Sequence, residues 1–191
     1  MVQNFMYDPK EKDYFMMAPN LNASHPHWWN GAEPIWINAE KHDLKTAVYW
    51  WDGCQVKIKG KVPTYCQSYQ SYWTWTNPIN DTNNALSEIL DHFEADEWQL
   101  GLVYYEAIDA MGHAFGPEST DRVEAVQEFD RILINLQDEI QDRGMENEVF
   151  SQFFSFIRKQ FCILSELLNQ KFFFRFIKLI VNRFEGKCCG R

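Results

Sequence analysis

YYEAIDAMGHAFGP, residues 104–117, begins where an apolar run ends. Leu100–Tyr105 reads LGLVYY, a continuous apolar segment of the kind buried on both faces of a parallel sheet. Beyond it, Glu106, Asp109 and His113 stand among Gly112, Gly116 and Pro117. That composition predicts a loop at the carboxyl end of the strand, with a new helix from about Ser119. Such a loop suits ligands and catalytic groups, because the strand fixes them and the loop exposes them. Asp109 and His113 form an Asp-x-x-x-His pair, a hard oxygen and a borderline nitrogen that suit zinc. Twelve Asp and five His in 191 residues give about 0.3 such pairs by chance, so the spacing needs context before it carries weight.

The surrounding chain supplies a frame. Pro34 to about Asp43 reads as a short helix with proline in its first turn. Thr46–Trp51 reads as a buried strand, and Gln55–Lys59 alternates as an edge strand does. Asp81 or Thr82 is placed to cap a helix whose stripe is Leu86, Ile89, Leu90 and Phe93. Strand 99–105 follows. A long helix then runs from about Ser119 to Arg143, with Val123, Val126, Phe129, Leu133, Leu136 and Ile140 on one face and Gly144 as its stop. This alternation predicts an α/β fold with a mainly parallel sheet and helices on both faces. Residues 1–27 read as extended or loop, and His25-Pro26-His27-Trp28-Trp29, although rich in ligand types, reads as the packing of a turn.

Charge divides the chain. Residues 1–147 hold 10 Lys+Arg against 24 Asp+Glu, whereas residues 148–191 hold 8 against 3 together with ten of the fifteen Phe. The 148–191 segment is expected to be a helical or disordered tail, with Phe150, Phe153, Phe154 and Ile157, and again Phe172, Phe176 and Ile180, spaced for helix faces. Basic residues interrupt every apolar run there, so a membrane surface is a better destination than a span. The overall charge of −9 argues against a general nucleic-acid binder. Five Cys, at 54, 66, 162, 188 and 189, are not a clean disulfide framework, although Cys54 and Cys66 are spaced to close a short loop. Asn22-Ala23-Ser24 and Asn80-Asp81-Thr82 are N-glycosylation sequons. The start, MVQNFMYDPKEKDYF, does not read as a signal peptide.

Several stretches together resemble one family, the ectonucleotide pyrophosphatase/phosphodiesterases of the alkaline phosphatase superfamily. Asn4-x-Met6-Tyr7-Asp8-Pro9 resembles its N-x-M-Y/W-D-P. Trp28-Trp29-Asn30-Gly31-x-Glu33-Pro34-Ile35-Trp36 resembles W-W-N-G-x-E-P-L-W. Residues 104–117 resemble Y-x-E-x-x-D-x-x-G-H-x-x-G-P. The resemblance spans about residues 1–147 and makes 148–191 a divergent tail. Within the family it is strongest for the choline-specific glycerophosphodiesterase branch, through Trp51-Asp52-Gly53-Cys54-x-Val56-x-Ile58-x-Gly60, Pro63-Thr64-Tyr65-Cys66 and Glu106-Ala107-Ile108-Asp109. Asp52 departs from that branch's proline, and nucleotide-cleaving members usually read E-E-P-D at the last motif.

The resemblance implies an extracellular or cell-surface two-zinc hydrolase with a threonine nucleophile. Asp109 and His113 match two ligands of one zinc, and Cys54–Cys66 matches a disulfide. Tyr104, and less directly Tyr69 and Glu88, are placed for a choline headgroup, since cations gain about 0.5–2 kcal/mol over ring faces. The implied activity is release of phosphocholine from glycerophosphocholine or lysophosphatidylcholine-type diesters, with nucleotide pyrophosphate cleavage as the alternative. The nucleophile and the other zinc ligands of the family find no match in residues 1–191. The resemblance therefore implies a fragment of the catalytic domain, inactive by itself. A reading of a different class makes the chain a non-catalytic product whose basic tail docks on anionic lipid or a partner.

Overall fold

The computed structural model describes residues 5–155 and 177–183. The chain opens with a two-stranded antiparallel hairpin, β1 (Phe5–Asp8) and β2 (Asp13–Met16), where only extended or irregular chain was expected. Two short 3₁₀ turns, Leu21–Ser24 and Pro26–Trp28, lead to helix α1 (Ile35–Lys41). Strand β3 (Thr46–Tyr49) pairs parallel with β4 (Tyr65–Gln67) on one side and with β5 (Leu100–Tyr105) on the other. Helix α2 (Pro78–Glu94) connects β4 to β5, and α3 (Ala107–Phe115) and α4 (Thr120–Asp142) follow β5.

Alternation along β3 and β5 divides the core in two. Ala47, Tyr49, Val103 and Tyr105 face a cluster built with Leu86, Ile89, Leu90 and Phe93 of α2 and Phe129, Ile132 and Leu136 of α4. Val48, Leu100 and Leu102 face the other way, onto Trp36 and Ile37 of α1. Helices therefore cover both faces, as expected of a strand run with no polar face. Gly101 permits the close helix approach, because a Cβ there would lie 2.7 Å from Ile89 Cγ2. Glu40 ties α1 to the start of β3 and to Thr64, just ahead of β4. Its Oε1 accepts from the backbone N–H and hydroxyl of Thr46 (2.9 and 2.8 Å) and of Thr64 (2.7 and 2.8 Å). Arg143, just past α4, reaches back to Asp91 of α2 at 2.7 Å and to Glu139 at 2.6 Å.

Several expectations are corrected. The sheet is mixed rather than mainly parallel. Its order is β4-β3-β5-β7-β6, and β6 (Val149–Ser155) and β7 (Ile177–Arg183) join antiparallel to each other and to β5. Phe150, Phe153 and Phe154 thus lie on a strand and not on a helix face, as does Ile180. Strand pairing with β5 supplies the backbone partners that helical spacing could not foresee. Ile157, Phe172 and Phe176 lie outside the described residues. Gln55–Lys59 forms no strand, only a bridge between Ile58 and Lys61. β3 ends at Tyr49 because Trp50 turns out of the sheet with φ +56°. The start of α2 is Pro78, a full turn before Asp81, with proline satisfying the first position. The buried stripe of α4 is Ala125, Phe129, Ile132, Leu136 and Ile140; it keeps Phe129, Leu136 and Ile140 of the expected face, with Val126 and Leu133 packed at its edge, and only Val123 of that face is exposed.

The largest correction concerns residues 106–117. Ala107–Phe115 form a helix, α3, immediately after β5, with Glu106 as the single residue between them. Gly112 does not open a loop. It sits inside α3, where Arg122 of α4 passes close by. The helix stops at Gly116, whose φ is +96°.

Candidate active site at the carboxyl end of β5

Asp109 lies in the first turn of α3 and His113 in its last. Residues four apart share one helix face, and here His113 Nε2 comes within 3.5 Å of Asp109 Oδ1. Two ligands of one tetrahedral zinc, each about 2.0–2.1 Å from the ion, stand roughly 3.3–3.4 Å apart. The donor pair therefore fits a single Zn²⁺. The carboxylate is largely shielded while the imidazole is 68% exposed, so the pair faces outward.

Tyr104 and Tyr69 are brought together, with ring centroids 6.2 Å apart. Tyr69 comes from the segment after β4 and is held by Glu106. Its hydroxyl donates to Glu106 Oε1 at 2.7 Å, and the Tyr72 N–H donates to Oε2 at 2.9 Å. One carboxylate thus pins residues 69–72 over the end of β5. Burial pushes the Tyr69 phenol above its ordinary value, and the hydrogen bond to Glu106 adds to the shift. Burial does the same to Tyr104, reinforced by Glu106, Tyr69, Asp109 and Asp52. Three carboxylates, at 52, 106 and 109, therefore bear on one buried tyrosine. This concentration of negative potential suits cations.

Glu88 does not join this group. It lines a separate cavity of about 260 Å³ with Tyr49, Trp50, Gln67, Gln70 and Trp75. The indoles of Trp50 and Trp75 lie 4.2 Å apart, and Trp75 Nε1 donates to Asp81 at 2.6 Å. Sequence spacing missed Trp50, Trp75 and Asp52. Asp52 was noted only as a departure from a motif, and Trp50 only as part of a strand.

Cys54 and Cys66 form a disulfide, with their Cα atoms 5.7 Å apart. It ties the segment after β3 to β4. Beside it Gly53 has φ +87°, and a Cβ there would lie 2.4 Å from the Trp29 ring, so the Trp29-over-Gly53 contact requires glycine. Of the two sequons, Asn22 lies in a 3₁₀ turn, with Ser24 accepting from Gln55 at 3.0 Å. Asn80 is exposed in the first turn of α2, where the Thr82 hydroxyl is buried and donates to Pro78 O at 2.6 Å. Among the described residues no helix is long and apolar enough to cross a membrane.

Residues 1–150 match the family described as type I phosphodiesterase / nucleotide pyrophosphatase. An uncharacterized pyrophosphatase/phosphodiesterase of Schizosaccharomyces pombe is 32% identical over 150 residues, covering 78% of this chain and 30% of the relative. Ectonucleotide pyrophosphatase/phosphodiesterase family member 3 of Mus musculus is 31% identical over 147 residues, covering 77% of this chain and 16% of its own. A venom phosphodiesterase of Naja atra is 32% identical, with 77% and 17% covered. The chain thus spans less than a third of the length of these curated relatives. Among solved structures, murine ectonucleotide pyrophosphatase / phosphodiesterase 5 superimposes with a TM-score of 0.67 at 24% identity, covering 80% of this chain and 39% of that one. An inactive form of the same murine protein has been solved in complex with AMP, with the same fold agreement. The match over most of its length establishes that the chain belongs to the type I phosphodiesterase/nucleotide pyrophosphatase family, with an alkaline-phosphatase-like α/β fold.

Proposed function

We propose that residues 1–150 carry part of the metal site of a zinc-dependent phosphodiesterase acting on nucleotide-type diesters. The observation behind this is the Asp109–His113 pair, 3.5 Å apart at the carboxyl end of β5, in a chain whose relatives are named as nucleotide pyrophosphatases and phosphodiesterases. Those relatives favour the nucleotide reading over the choline one. Asp109 and His113 would hold one zinc. When bound, such an ion neutralises charge on a phosphoryl oxygen and activates a nucleophile. The chain's own residues do the supporting work. Glu106 anchors Tyr69 and residues 69–72, and Tyr104 forms the buried floor. The names of the ecto- and venom relatives, the disulfide and the sequons support an extracellular or surface location.

The test is made in the catalytically complete protein. Asp109→Asn and His113→Ala are each expected to lower kcat/KM for a nitrophenyl nucleotide diester more than about 100-fold, beyond what loss of a supporting group costs. Bound zinc falls in parallel. Unchanged turnover and zinc content in both variants would sink the assignment. Residues 1–191 expressed by themselves are expected to show no turnover.

A choline-phosphodiester reading keeps a place because of one feature. The 260 Å³ cavity sets Glu88 and Asp81 among Tyr49, Trp50 and Trp75, a lining that suits a quaternary ammonium. Parallel assays on glycerophosphocholine and the nucleotide diester separate the two, with faster nucleotide turnover expected. Preference for glycerophosphocholine that disappears in Trp75→Ala would reverse the order.

A further inference from the structure

We propose that Asp13, His25 and His27 form a second metal site, independent of Asp109 and His113, that takes Zn²⁺ or a similar borderline divalent ion. One ligand atom from each residue lies within 4.8 Å of the others, and neither Asp109 nor His113 belongs to the group. Asp13 Oδ2 is 2.6 Å from His25 Nδ1 and 3.3 Å from His27 Nε2. The second distance already equals the roughly 3.3 Å edge of a tetrahedral zinc site, and the first needs to open by less than about 1 Å. Two imidazoles and one carboxylate suit Zn²⁺, whereas Ca²⁺ and Mg²⁺ ask for oxygen ligands.

The local fold brings these groups together. Asp13 opens β2, His25 ends one 3₁₀ turn, and Pro26 begins the next, which contains His27. The two rings lie 5.7 Å apart. The His27 ring packs on Trp28 at 4.3 Å, and Trp28 meets Phe15 of β2 edge-on at 5.8 Å. His27 is thus braced from behind. Its Nε2 is shielded from solvent, points at the Asp13 carboxylate and has no hydrogen-bond partner among the described residues. A shielded ring nitrogen that faces a carboxylate at 3.3 Å without a formed hydrogen bond is uncommon and asks for an explanation, and a cation between the two groups supplies one. Three protein ligands leave one coordination position for water. The ion clips the hairpin to the turn preceding Trp28-Trp29, and its binding energy adds to stability because the set assembles only on folding.

The experiment uses the 191-residue chain carrying Asp109→Asn and His113→Ala, titrated with ZnCl₂ against a chromophoric chelator. A single Zn²⁺ is expected to remain bound. Adding His27→Ala or His25→Gln weakens it at least about tenfold, and Asp13→Asn does likewise. Zinc raises the unfolding temperature of the parent but not of these variants, and Mg²⁺ raises neither. Imidazole nitrogen resonances of the unsubstituted chain provide a check free of folding artefacts, with His25 and His27 shifting together on zinc addition. Zinc binding that vanishes with Asp109 and His113 alone, or that survives all three substitutions, or imidazole signals that do not move, would overturn the site.

Discussion

Glu106 and Glu88 each lie beside buried tyrosines, yet they do opposite things. Glu106 is half-buried and both its oxygens are occupied, one by the Tyr69 hydroxyl and the other by the Tyr72 N–H. It is a fastener. Glu88 is exposed on α2 at the rim of a cavity, close enough to the Tyr49 hydroxyl to raise that phenol further above what burial alone does. A carboxylate whose two oxygens both accept holds a distant segment in place, whereas Glu88 at the mouth of an aromatic cavity bears on the Tyr49 phenol of the strand beside it. The resemblance placed Tyr69 and Glu88 together at a choline headgroup; in the structure Tyr69 is fastened to Glu106, and Glu88 lines a cavity with Tyr49, Trp50 and Trp75.

The sharpest way to break this contrast is to remove each carboxylate. Glu106→Ala leaves a phenol and a backbone N–H without their acceptor, and is expected to cost about 3 kcal/mol in urea unfolding. Glu88→Ala, at an exposed position, is expected to stay within about 0.5 kcal/mol. Equal losses would erase the distinction. A smaller effect sharpens it. Tyr69→Phe should cost about 1 kcal/mol, and a double-mutant cycle with Glu106→Ala should return a coupling of about 1 kcal/mol. The same cycle on Tyr49 and Glu88 should return less than about half of that.

Those differences mark where sequence pattern stops being informative. The stripe of α2 is a local repeat, and all four of its expected residues are buried. The Asp109–His113 pair was found at the right spacing for the wrong local reason. Both a loop and one helix face bring residues four apart together, and Gly112 and Gly116 suggested the loop. What fails is whatever depends on distant pairing. The strands β6 and β7 exist because β5 offers an edge, which no helical periodicity in a Phe-rich segment can express. Tyr69 reaches Glu106 across 37 positions. His25 and His27 gain Asp13 only through the hairpin. From the chain alone they looked like turn packing. The α4 face is also a local repeat: Phe129, Leu136 and Ile140 are buried, Val126 and Leu133 pack against the same cluster, and only Val123, in the first turn, is exposed.

The smallest expected effect is in alkaline solution. The Tyr69 phenol has a folded pKa above its ordinary value of 10.0, from burial first and from donation to Glu106 second. A group that holds its proton more tightly when folded contributes stability that is complete below the unfolded pKa and is lost as pH rises past it. Stability should therefore decline above about pH 10, as each unfolded tyrosine gains an ionised form that the folded chain resists. Tyr69→Phe should flatten that decline measurably. Glu106→Gln should flatten it too, since the negative charge opposing ionisation is gone, while its single amide oxygen can serve only one of the two donors, the Tyr69 hydroxyl or the Tyr72 N–H. Glu88→Gln acts on Tyr49 through a carboxylate that solvent screens, so its slope should change less. If the Glu88 substitution flattened the alkaline limb as much as the Glu106 one, the half-buried fastener and the exposed rim carboxylate would be electrostatically alike.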